Sequence, residues 1–559
     1  MPPCDPKSVQ VIRWNRDCAA PESVIPSGEV ICLFYRGFSL NRLELARLAD
    51  AAPSGSTADL LVSAYRRLGP EVARHVLSPY SFVVWDGVRE LLFATTDREG
   101  YHPLFLADKG REISVASRVE LLADLSLQGL DRTSIAAHVC SFAPPPGATF
   151  FRGVRALEPG SSLSAWRERV EIDPPRGRIS EPRLRQESKA AGTLRDTLLA
   201  VVPEYAPEDA AVGVTVSSGL DSTSVAAALR ASRPQAKIVA FVWTSRSVPS
   251  ADESGPALRV ARSLDMEIVE IAADEHGPLS TPEGILPNLG SPLYNSYSPA
   301  WRETYRIARE RNIGVLLTGH AGDFAFGSVF PFADLFLTGR WLRLAREVRA
   351  YRNRVDAYVP WVVRYQILGR SARWFLPITR VNPPPWLGAA LREVLPHPPS
   401  TYRFALPGDR ERRHMLENPR RFAITAAQTA EGREFGIDLR HPWIDSRVVD
   451  LARRVPAAWT FKDGYSKALV RRAMRGLLPD EILDRPEKIY PTELFLRALR
   501  GPERSKIEPL LSNMLAAELG FVEPNALRKA VEDCARGDWR GAMFWHSLTL
   551  EAWLRRLAG

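Results

Sequence analysis

Hydrophobic residues follow two different patterns along the chain, and the change falls near residue 190. In the first part, short runs of β-branched and aromatic residues alternate with turn-forming residues, which predicts strands at ICLFYRGF, YSFVVWD, LLFATTD and EISVAS. A helix is predicted from Asp59 to Leu68. In the second part, strand-like apolar runs alternate with helical segments, a pattern that predicts a parallel sheet flanked by helices.

The elements of the second part can be placed by residue. The predicted strands are 212–216, 238–243 and 314–318, and the predicted helices are 192–202, 223–231 and 301–311. Residues 166–190 are charged and contain prolines, as is typical of a linker. The predicted organisation is therefore a first domain at 1–165, a linker at 166–190 and a second domain at 191–559. Within the second domain, 328–420 is rich in Arg, Trp and Pro; this suits a peptide groove, although Trp at helical spacing favours core.

Composition narrows the class of protein. The 559 residues are 45% hydrophobic and 25% charged, which is typical of a soluble globular chain. The net charge of +9 permits polyanionic partners, but no nucleic-acid-binding motif is present, so no such partner is expected. The longest apolar stretches are interrupted, as VPWVVRYQIL is by Arg364, so we expect no membrane span and a cytoplasmic protein. Five cysteines without paired spacing support neither a disulfide scaffold nor a zinc site.

A strand, a tight loop and a helix start meet in VGVTVSSGLDST, at residues 212–223. Small loop residues let the backbone approach an anion, and amides at a helix start point toward it, so the loop has the chemistry to hold a polyphosphate. Asp221 would repel a bare phosphate but suits Mg²⁺, which prefers oxygen ligands. The candidate phosphate-binding residues are Ser217, Ser218, Gly219, Leu220, Asp221 and Ser222. Taken alone, these six residues also fit an ordinary strand-to-helix turn with polar caps.

SSGLDST resembles the SGGxDS pyrophosphate loop of the N-type ATP pyrophosphatases, and in particular that of asparagine synthetase B and its relatives. Ser218 stands where this family usually has glycine, so a side chain replaces open space beside the phosphates. The resemblance implies that the second domain is an N-type ATP pyrophosphatase-like parallel α/β domain with added helices, and that ATP is its nucleotide.

A second loop of this kind follows another predicted strand, and in open parallel sheets ligands collect beyond the carboxyl ends of strands. GHAGDFAFG is similar to the family's GxGxDExFG, with matches at Gly319 and Asp323. Ala321 replaces a family glycine, and Phe324 replaces the glutamate. The resemblance implies that Asp221 and Asp323 hold one Mg²⁺ and that Gly319 lies beside the nucleotide.

Two later stretches, 435–456 and 464–491, resemble the asparagine synthetase patterns ExRxPFLDxxLVxxAxxxP and KxxLRxAxxxxLPxxIxxRxK. Lys467 stands at the lysine that in this family reaches the pyrophosphate and the adenylate, which implies a catalytic role. Asp252 and Glu253 resemble the family's DE pair at a helix start, where acidic residues also serve as plain caps.

The N-terminal strands resemble the class II glutaminase domain of asparagine synthetases, in which FxFxxWD, DRxGxxPL and FASxxxxL recur in this order. The resemblance implies an αββα sandwich of the N-terminal-nucleophile (Ntn) class. That domain hydrolyses glutamine with a cysteine at the mature N-terminus, whereas here Pro2 follows Met1 and the first cysteine is Cys4. The family's Asn-Gly-Glu segment should fall near 34–37, where this chain reads FYRG. We expect a domain that has lost glutaminase activity and remains as a scaffold.

Together, the resemblances imply an AMP-forming, ATP-dependent amide ligase with ATP and Mg²⁺ as cofactors. Without glutaminase activity, the amine must belong to the substrate. Relatives with a silent glutaminase domain include β-lactam synthetases and lasso peptide cyclases. Three residues before the metal aspartate, asparagine synthetases carry Glu and β-lactam synthetases Tyr, whereas this chain has His320. For His320 we predict a role as the base in amide formation.

The chain most resembles the lasso peptide cyclases, through His320 at this position and its Arg-, Trp- and Pro-rich insertion. That resemblance implies macrolactam formation in the biosynthesis of a ribosomal peptide antibiotic. The implied partners are a precursor peptide, a leader-binding protein and a leader peptidase. Three alternatives stay open: a β-lactam synthetase-like or other amide synthetase acting on a small molecule, a glutamine-hydrolysing asparagine synthetase, and a silent scaffold.

Overall fold

The computed structural model describes the chain outside residues 1–10, 19–29, 39, 55, 78, 176–182, 281–289, 293–294, 328–329, 356–358, 376–382, 396–405, 486–491, 502 and 538–542. The sequence features at Pro2 and Cys4 lie outside the described residues.

The N-terminal part is a sandwich of two antiparallel sheets with helices on its outer faces. Its strands are β1 (Val11–Asn15), β2 (Val30–Gly37), β3 (Tyr80–Asp86), β4 (Leu91–Thr96), β5 (Phe105–Asp108), β6 (Glu112–Ala116), β7 (Arg155–Ala156), β8 (Ser162–Ala165) and β9 (Val170–Asp173); its helices are α1 (Arg42–Ala49), α2 (Thr57–Leu68) and α3 (Arg132–Val139). One sheet has the order β2-β3-β4-β8-β9 and the other β1-β6-β5-β7.

Strand β3 shows how the sequence pattern builds this sandwich. Successive side chains of a strand point to opposite faces. Phe82 and Val84 therefore pack in the core beneath α1 and α2, while Val83 and Trp85 lie in the core between the two sheets. Helix α3 shares a core cluster with Ala107 of β5 and so covers the other outer face. The predicted αββα glutaminase-like architecture is confirmed.

The second part is a parallel sheet, as predicted. Its strands are β10 (Val212–Thr215), β11 (Ile238–Thr244), β12 (Glu267–Ala272), β13 (Val315–Leu317) and β14 (Asp438–Arg440), and they pair in the order β12-β11-β10-β13-β14. Every neighbouring pair is parallel. Separate apolar clusters cover the two faces of the sheet, which explains the near-continuous hydrophobic runs of its strands.

Helices surround this sheet and close the chain. They are α4 (Glu187–Glu204), α5 (Leu220–Ser232), α6 (Ser254–Ser263), α7 (Ser298–Glu310), α8 (Gly322–Phe326), α9 (Phe332–Leu337), α10 (Trp341–Val355), α11 (Val359–Trp361), α12 (Arg370–Phe375), α13 (Ala389–Arg392), α14 (Pro407–Glu417), α15 (Pro419–Glu434), α16 (Ser446–Arg454), α17 (Ala468–Ala473), α18 (Asp480–Leu483), α19 (Thr492–Arg500), α20 (Arg504–Leu511), α21 (Leu515–Glu518), α22 (Pro524–Ala535) and α23 (Phe544–Ala558). A π-helical run, Val362–Gly369, joins α11 to α12.

Strand β9 and the start of α4 fall inside the stretch predicted as a linker, so regular structure reaches into it from both sides. The division at 165 and 190 stays a prediction. Helix α5 begins at Leu220, three residues before the predicted start, because the second half of the phosphate loop already has helical geometry.

The two parts of the chain pack against each other through buried contacts. Arg421 of α15 and Glu99 of the N-terminal part form an ion pair at 2.9 Å with side chains only 1% and 0% exposed. Trp553 of the last helix packs edge-on against Phe150 and Phe151, at ring-centroid distances of 5.5 and 5.7 Å. The C-terminal helix α23 therefore contributes to the hydrophobic core of the N-terminal part.

The insertion formed by α9 to α12 is partly core and partly surface. Phe332 and Val362 are buried in a small cluster of their own. Trp341 and Trp361 are 67% and 40% exposed, so the expectation that tryptophans here are core is wrong for these two. Within the described residues, no helix has both the length and the apolar character to cross a bilayer.

Candidate active site

The carboxyl ends of β10 and β13 lie side by side at the centre of the parallel sheet. Val214 pairs with Leu317, so the loops that follow the two strands leave the same edge of the sheet. Gly213 makes the strand pair possible, because a Cβ atom there would lie 2.7 Å from Cδ1 of Leu316. The sheet therefore brings together the two loops that the sequence marks as nucleotide-binding.

Glycines let these two loops touch. A Cβ atom on Gly319 would lie 2.3 Å from the amide nitrogen of Ser222, and one on Gly322 would lie 2.3 Å from Cγ of Asp221. Ala321, which replaces a family glycine, has a φ of +68°, a left-handed conformation that glycine adopts more readily. The second loop therefore keeps the backbone of the glycine-rich pattern despite the substitution.

Lys467 joins the two predicted metal ligands. Its ammonium lies 2.5 Å from Oδ2 of Asp221 and 2.5 Å from Oδ1 of Asp323. The Lys467 and Asp221 side chains are each 12% exposed, whereas Asp323 is 60% exposed. Burial works against the charged ammonium, but the two carboxylates outweigh it and raise the pKa of Lys467. Three residues far apart in sequence thus form one compact charged cluster.

Lys467 reaches this place from a strained turn. It is the residue before α17 and has a φ of +52°, a left-handed conformation that is uncommon for residues other than glycine. The amide of Ala468 donates to the carbonyl of Thr460 at 2.9 Å and fixes the turn from the other side. Strain of this kind concentrates at functional sites, where the surrounding structure holds it.

The two carboxylates fit a magnesium ion that also binds phosphate. Since both oxygens lie 2.5 Å from one nitrogen, they are separated by at most twice that distance. Oxygens bound to one Mg²⁺ are roughly 3 to 4 Å apart, so a small approach suffices. No cluster of three or more acidic, histidine or cysteine ligands occurs in the described part of the chain, and Mg²⁺ typically takes one or two carboxylates with phosphate and water.

The amides of the first loop are engaged within the protein. The Ser217 amide donates to Oγ of Ser222 at 3.0 Å, and the Gly219 amide donates to Oγ of Ser217 at 3.1 Å. The hydroxyl groups hold the loop in a compact shape with small side chains around it. A pyrophosphate bound here must exchange these internal bonds for its own oxygens, so the role of the loop in binding stays a prediction.

Glu253, for which the sequence analysis left a plain capping role open, contacts the same loop. Its Oε2 accepts hydrogen bonds from the Ser218 hydroxyl at 2.7 Å and the Ser218 amide at 3.3 Å. Asp252 instead accepts, through Oδ1, from the amide of Ser254 at the start of α6, at 2.9 Å. Ser218, the departure from the family glycine, is therefore the residue that ties Glu253 to the phosphate loop.

His320 lies beside the metal carboxylates and faces the helix α15. Its Nε2 lies 3.0 Å from Oγ1 of Thr425, and the Thr425 hydroxyl also donates to the carbonyl of Arg421 at 3.0 Å. One hydroxyl has one proton; with that proton on the bond to Arg421, Nε2 of His320 would donate to Thr425 and Nδ1 would be the acceptor. Thr425 gave no signal in the sequence, since threonine is common within helices that cover a core.

The surroundings of His320 favour the neutral ring. Burial and the positive charge of Arg421 lower its pKa to about 4, against a smaller opposite effect of Asp323. The ring packs against His441, with centroids 4.9 Å apart. At neutral pH His320 can therefore accept a proton but holds it weakly, and its predicted role as base stays a prediction.

Comparisons with known proteins agree with this geometry. The family model for asparagine synthase matches residues 193–555, and the model for the glutamine amidotransferase domain matches residues 32–174. A Mycobacterium tuberculosis protein provisionally described as a glutamine-hydrolyzing asparagine synthetase is 26% identical over 532 residues, covering 88% of this chain and 78% of its own. Asparagine synthetase (glutamine-hydrolyzing) 1 of Bacillus subtilis is 21% identical over 570 residues, covering 94% and 86%.

Among solved structures, a glutamine phosphoribosylpyrophosphate amidotransferase of B. subtilis covers 53% of this chain and 71% of its own, with 13% identity and a TM-score of 0.20, too low to bear on the fold. The family match extends over well more than half of the chain and includes the loop of Asp221, the loop of Asp323 and the turn of Lys467. The chain belongs to the asparagine synthase family and is an ATP-dependent amide ligase with a class II glutaminase-like N-terminal domain.

Proposed function

We propose that this ligase closes a macrolactam in a precursor peptide, as in lasso peptide biosynthesis. An Asp or Glu side-chain carboxylate of the peptide attacks the α-phosphorus of ATP, and pyrophosphate leaves. The N-terminal amine of the same peptide then attacks the acyl carbon, AMP leaves, and the amine gives up a proton. One water is lost from the peptide overall.

The observation that carries this proposal is that the segment just before Lys467 packs against α10, part of an insertion that carries exposed apolar side chains. Arg354 of α10 donates to the carbonyl of Asp463 at 2.8 Å, and the Gly464 amide donates to Glu347 of α10 at 3.3 Å. A Cβ atom on Gly464 would lie 2.6 Å from the backbone of Ala350. The insertion is thus fixed directly to the segment that presents the catalytic lysine.

The outer side of this insertion exposes large apolar side chains. Leu342 is 91% exposed, Tyr365 is 53% exposed and Leu368 is 51% exposed, in addition to Trp341 and Trp361. These side chains lie on α10, α11 and the π-helical run, and exposed apolar groups gathered in one part of a protein are typical of a surface that binds another chain. A peptide bound on this insertion would be held next to the segment that carries Lys467. A single amino acid is too small to contact both the insertion and the site of Lys467.

The geometry of the charged cluster supports the chemistry that we propose for it. Asp221 and Asp323 would hold Mg²⁺, which supplies neutralisation of the triphosphate. Lys467 is poised to leave the two carboxylates and face the departing pyrophosphate. Each charge aimed at the leaving group stabilises the transition state, where one such donor is commonly worth about 3 to 4 kcal/mol. His320 would accept the amine proton during the second step.

The principal alternative is an amide or β-lactam synthetase that acts on a small molecule with its own amine. It shares the adenylation step, so the charged cluster does not separate the two. The partners of the peptide reaction, a leader-binding protein and a leader peptidase, belong to the peptide proposal alone, as does a cytoplasmic location where the precursor is made.

The test uses the short peptides encoded by open reading frames beside the gene. The purified protein is incubated with ATP, Mg²⁺ and each leader-free peptide, and products are analysed by mass spectrometry. Loss of one water, together with AMP, is the expected result. A linear copy with an acetylated N-terminus is the matched control and should form no ring. Amide formation on small amino acids with none on any peptide would replace this proposal by the alternative.

A further inference from the structure

A cavity lies between the N-terminal domain and α15, on the side of that helix away from His320. It has a volume of about 460 Å³, within the range of pockets that hold small organic ligands. None of the residues of the charged cluster lines it. Its lining includes Arg36, Phe105, Phe150, Phe422 and Arg433.

The sequence of α15 explains why this space is open. One face of the helix, defined by Arg421, Thr425 and Thr429, is buried toward the site of His320. The other face carries small residues at helical spacing, and these form one wall of the cavity: Ala423, Ala426, Ala427 and Ala430. Larger side chains at these four positions would fill the space, so the apolar wall is built into the helix.

Two arginines line the cavity without an ion pair among the described residues. Arg36 and Arg433 are half-buried, and neither forms an ion pair with an acidic side chain of the described residues. Burial and the neighbouring Arg118 lower the pKa of Arg36, and burial and Arg36 lower the pKa of Arg433 to about 9. The only hydrogen bond that Arg433 makes through its side chain to a described residue is to Nδ1 of His102, at 3.1 Å.

The acidic residues that line the cavity form no ion pair with Arg36 or Arg433. Glu120 is engaged by Arg118 at 3.3 Å, and Glu434 is exposed at the surface. Glu158 also lines the cavity; the one carboxylate that opposes the lowering of the Arg433 pKa is Asp438, which is not part of the cavity lining. Two like-charged guanidinium groups facing one space repel each other, and an anion between them removes that repulsion.

We propose that this cavity binds a carboxylate attached to an apolar body, with Arg36 and Arg433 holding the carboxylate and the alanine face of α15 holding the body. Guanidinium groups bind carboxylates through paired, charge-assisted hydrogen bonds, which makes them specific for this group. Arg36 stands in the FYRG segment, where the family is expected to carry its Asn-Gly-Glu glutamine-binding residues. The cavity is separate from the charged cluster, so the proposal goes beyond the ring closure.

The test measures binding to the full chain, so it is independent of amide formation. The melting temperature is followed with 3-phenylpropionate at millimolar concentration, and with 3-phenylpropionamide as the uncharged control. We expect the acid to raise the melting temperature by about 2 °C or more and the amide to leave it unchanged. A short peptide ending in phenylalanine, with a free or an amidated C-terminus, tells whether the carboxylate can come from a peptide as well as from a free acid.

Substitutions test whether the acid binds in this cavity. Arg36→Gln and Arg433→Gln should each weaken binding of the acid by about tenfold or more. Because Arg433→Gln also loses the hydrogen bond to His102, each variant is compared with its own unliganded melting temperature. Ala426→Leu, which fills the apolar wall without changing charge, should also abolish binding. Arg528→Gln removes the same charge at a distant surface and should bind normally. Absence of binding to the wild type, or binding that survives both arginine variants, would overturn the proposal.

Discussion

At the scale of single residues, the charged cluster is the most distinctive feature of this protein. Two carboxylates that are predicted to hold a cation are bridged by the ammonium of Lys467. The arrangement explains how the site can fold without a metal, since like charges in close contact are destabilising unless something neutralises them. It also means that the lysine and a metal ion compete for the same two carboxylates.

This competition gives a prediction about stability. Lys467→Ala leaves Asp221 and Asp323 facing each other without a cation. We expect the variant to melt at a lower temperature than the wild type in EDTA, and Mg²⁺ to raise its melting temperature more than it raises that of the wild type. Differential scanning calorimetry with and without millimolar Mg²⁺ makes the comparison. An equal response to Mg²⁺ in both proteins would argue against a metal site at these carboxylates.

A second residue-scale prediction separates the two half-reactions. His320→Ala and His320→Gln should retain pyrophosphate release but form little amide, because only the second step needs a proton acceptor. Thr425→Val removes the hydrogen bond to Nε2 and keeps the ring, so it should slow amide formation less than His320→Ala does. Pyrophosphate and cyclised product are measured in the same reactions. Equal loss of both steps in the His320 variants would indicate that the ring only maintains the loop.

At the scale of elements, helix α15 connects the two halves of the molecule. Its buried face sets the environment of His320 through Thr425 and Arg421, and Arg421 in turn depends on Glu99 of the N-terminal domain. A buried charge that loses its partner is costly, at roughly 3 to 5 kcal/mol.

We therefore expect Glu99→Gln to destabilise the protein strongly and Glu99→Gln with Arg421→Met to recover much of the loss. Unfolding by urea, followed by circular dichroism, gives both free energies. Exposed pairs provide the matched control: Glu310→Gln, which breaks a surface pair with Arg306, should change the stability by less than about 1 kcal/mol. A small effect of Glu99→Gln would mean that the ion pair does not hold the domains together.

The sequence predicted the elements better than the contacts between them. The strands that carry the two loops were predictable because β-branched runs end at small residues, and the parallel sheet followed from the alternation of strands and helices. The role of Lys467 came only from the family pattern, since 246 residues separate it from Asp221. Glu253 was left open because an acidic residue before a helix has an ordinary explanation, and Thr425 gave no signal at all. The exposure of Trp341 and Trp361 was missed because helical spacing does not tell which face of a helix finds a partner.

At the scale of the whole molecule, the glutaminase-like domain is part of the structure that shapes the active site. Tyr101, buried in that domain, accepts a hydrogen bond from the amide of His441 and packs in one cluster with Ala321 of the second loop. The C-terminal helices in turn share a core with the N-terminal sandwich. Removal of the domain would expose these contacts; its role as a scaffold stays a prediction.

The same reasoning predicts the absence of glutaminase activity. Arg36 occupies the segment expected to hold glutamine, and its guanidinium lines the interdomain cavity. Glutamate formation from glutamine is measured, with the B. subtilis relative as the active control. Turnover of the order of ~1 per second, as in working enzymes, would contradict this account; no glutamate above background is expected.

The central claim is that Asp221, Asp323 and Lys467 form the adenylating site of an amide ligase. The most direct measurement is the rate of pyrophosphate release from ATP with Mg²⁺ and the precursor peptide, for the wild type and for Asp221→Ala, Asp323→Ala and Lys467→Ala. Lys462→Ala, at a nearby lysine paired with Glu187, is the matched control. The account predicts that each of the three variants folds and loses activity by about 100-fold or more, while Lys462→Ala stays near the wild type. A folded variant of any of the three that releases pyrophosphate at the wild-type rate would contradict it.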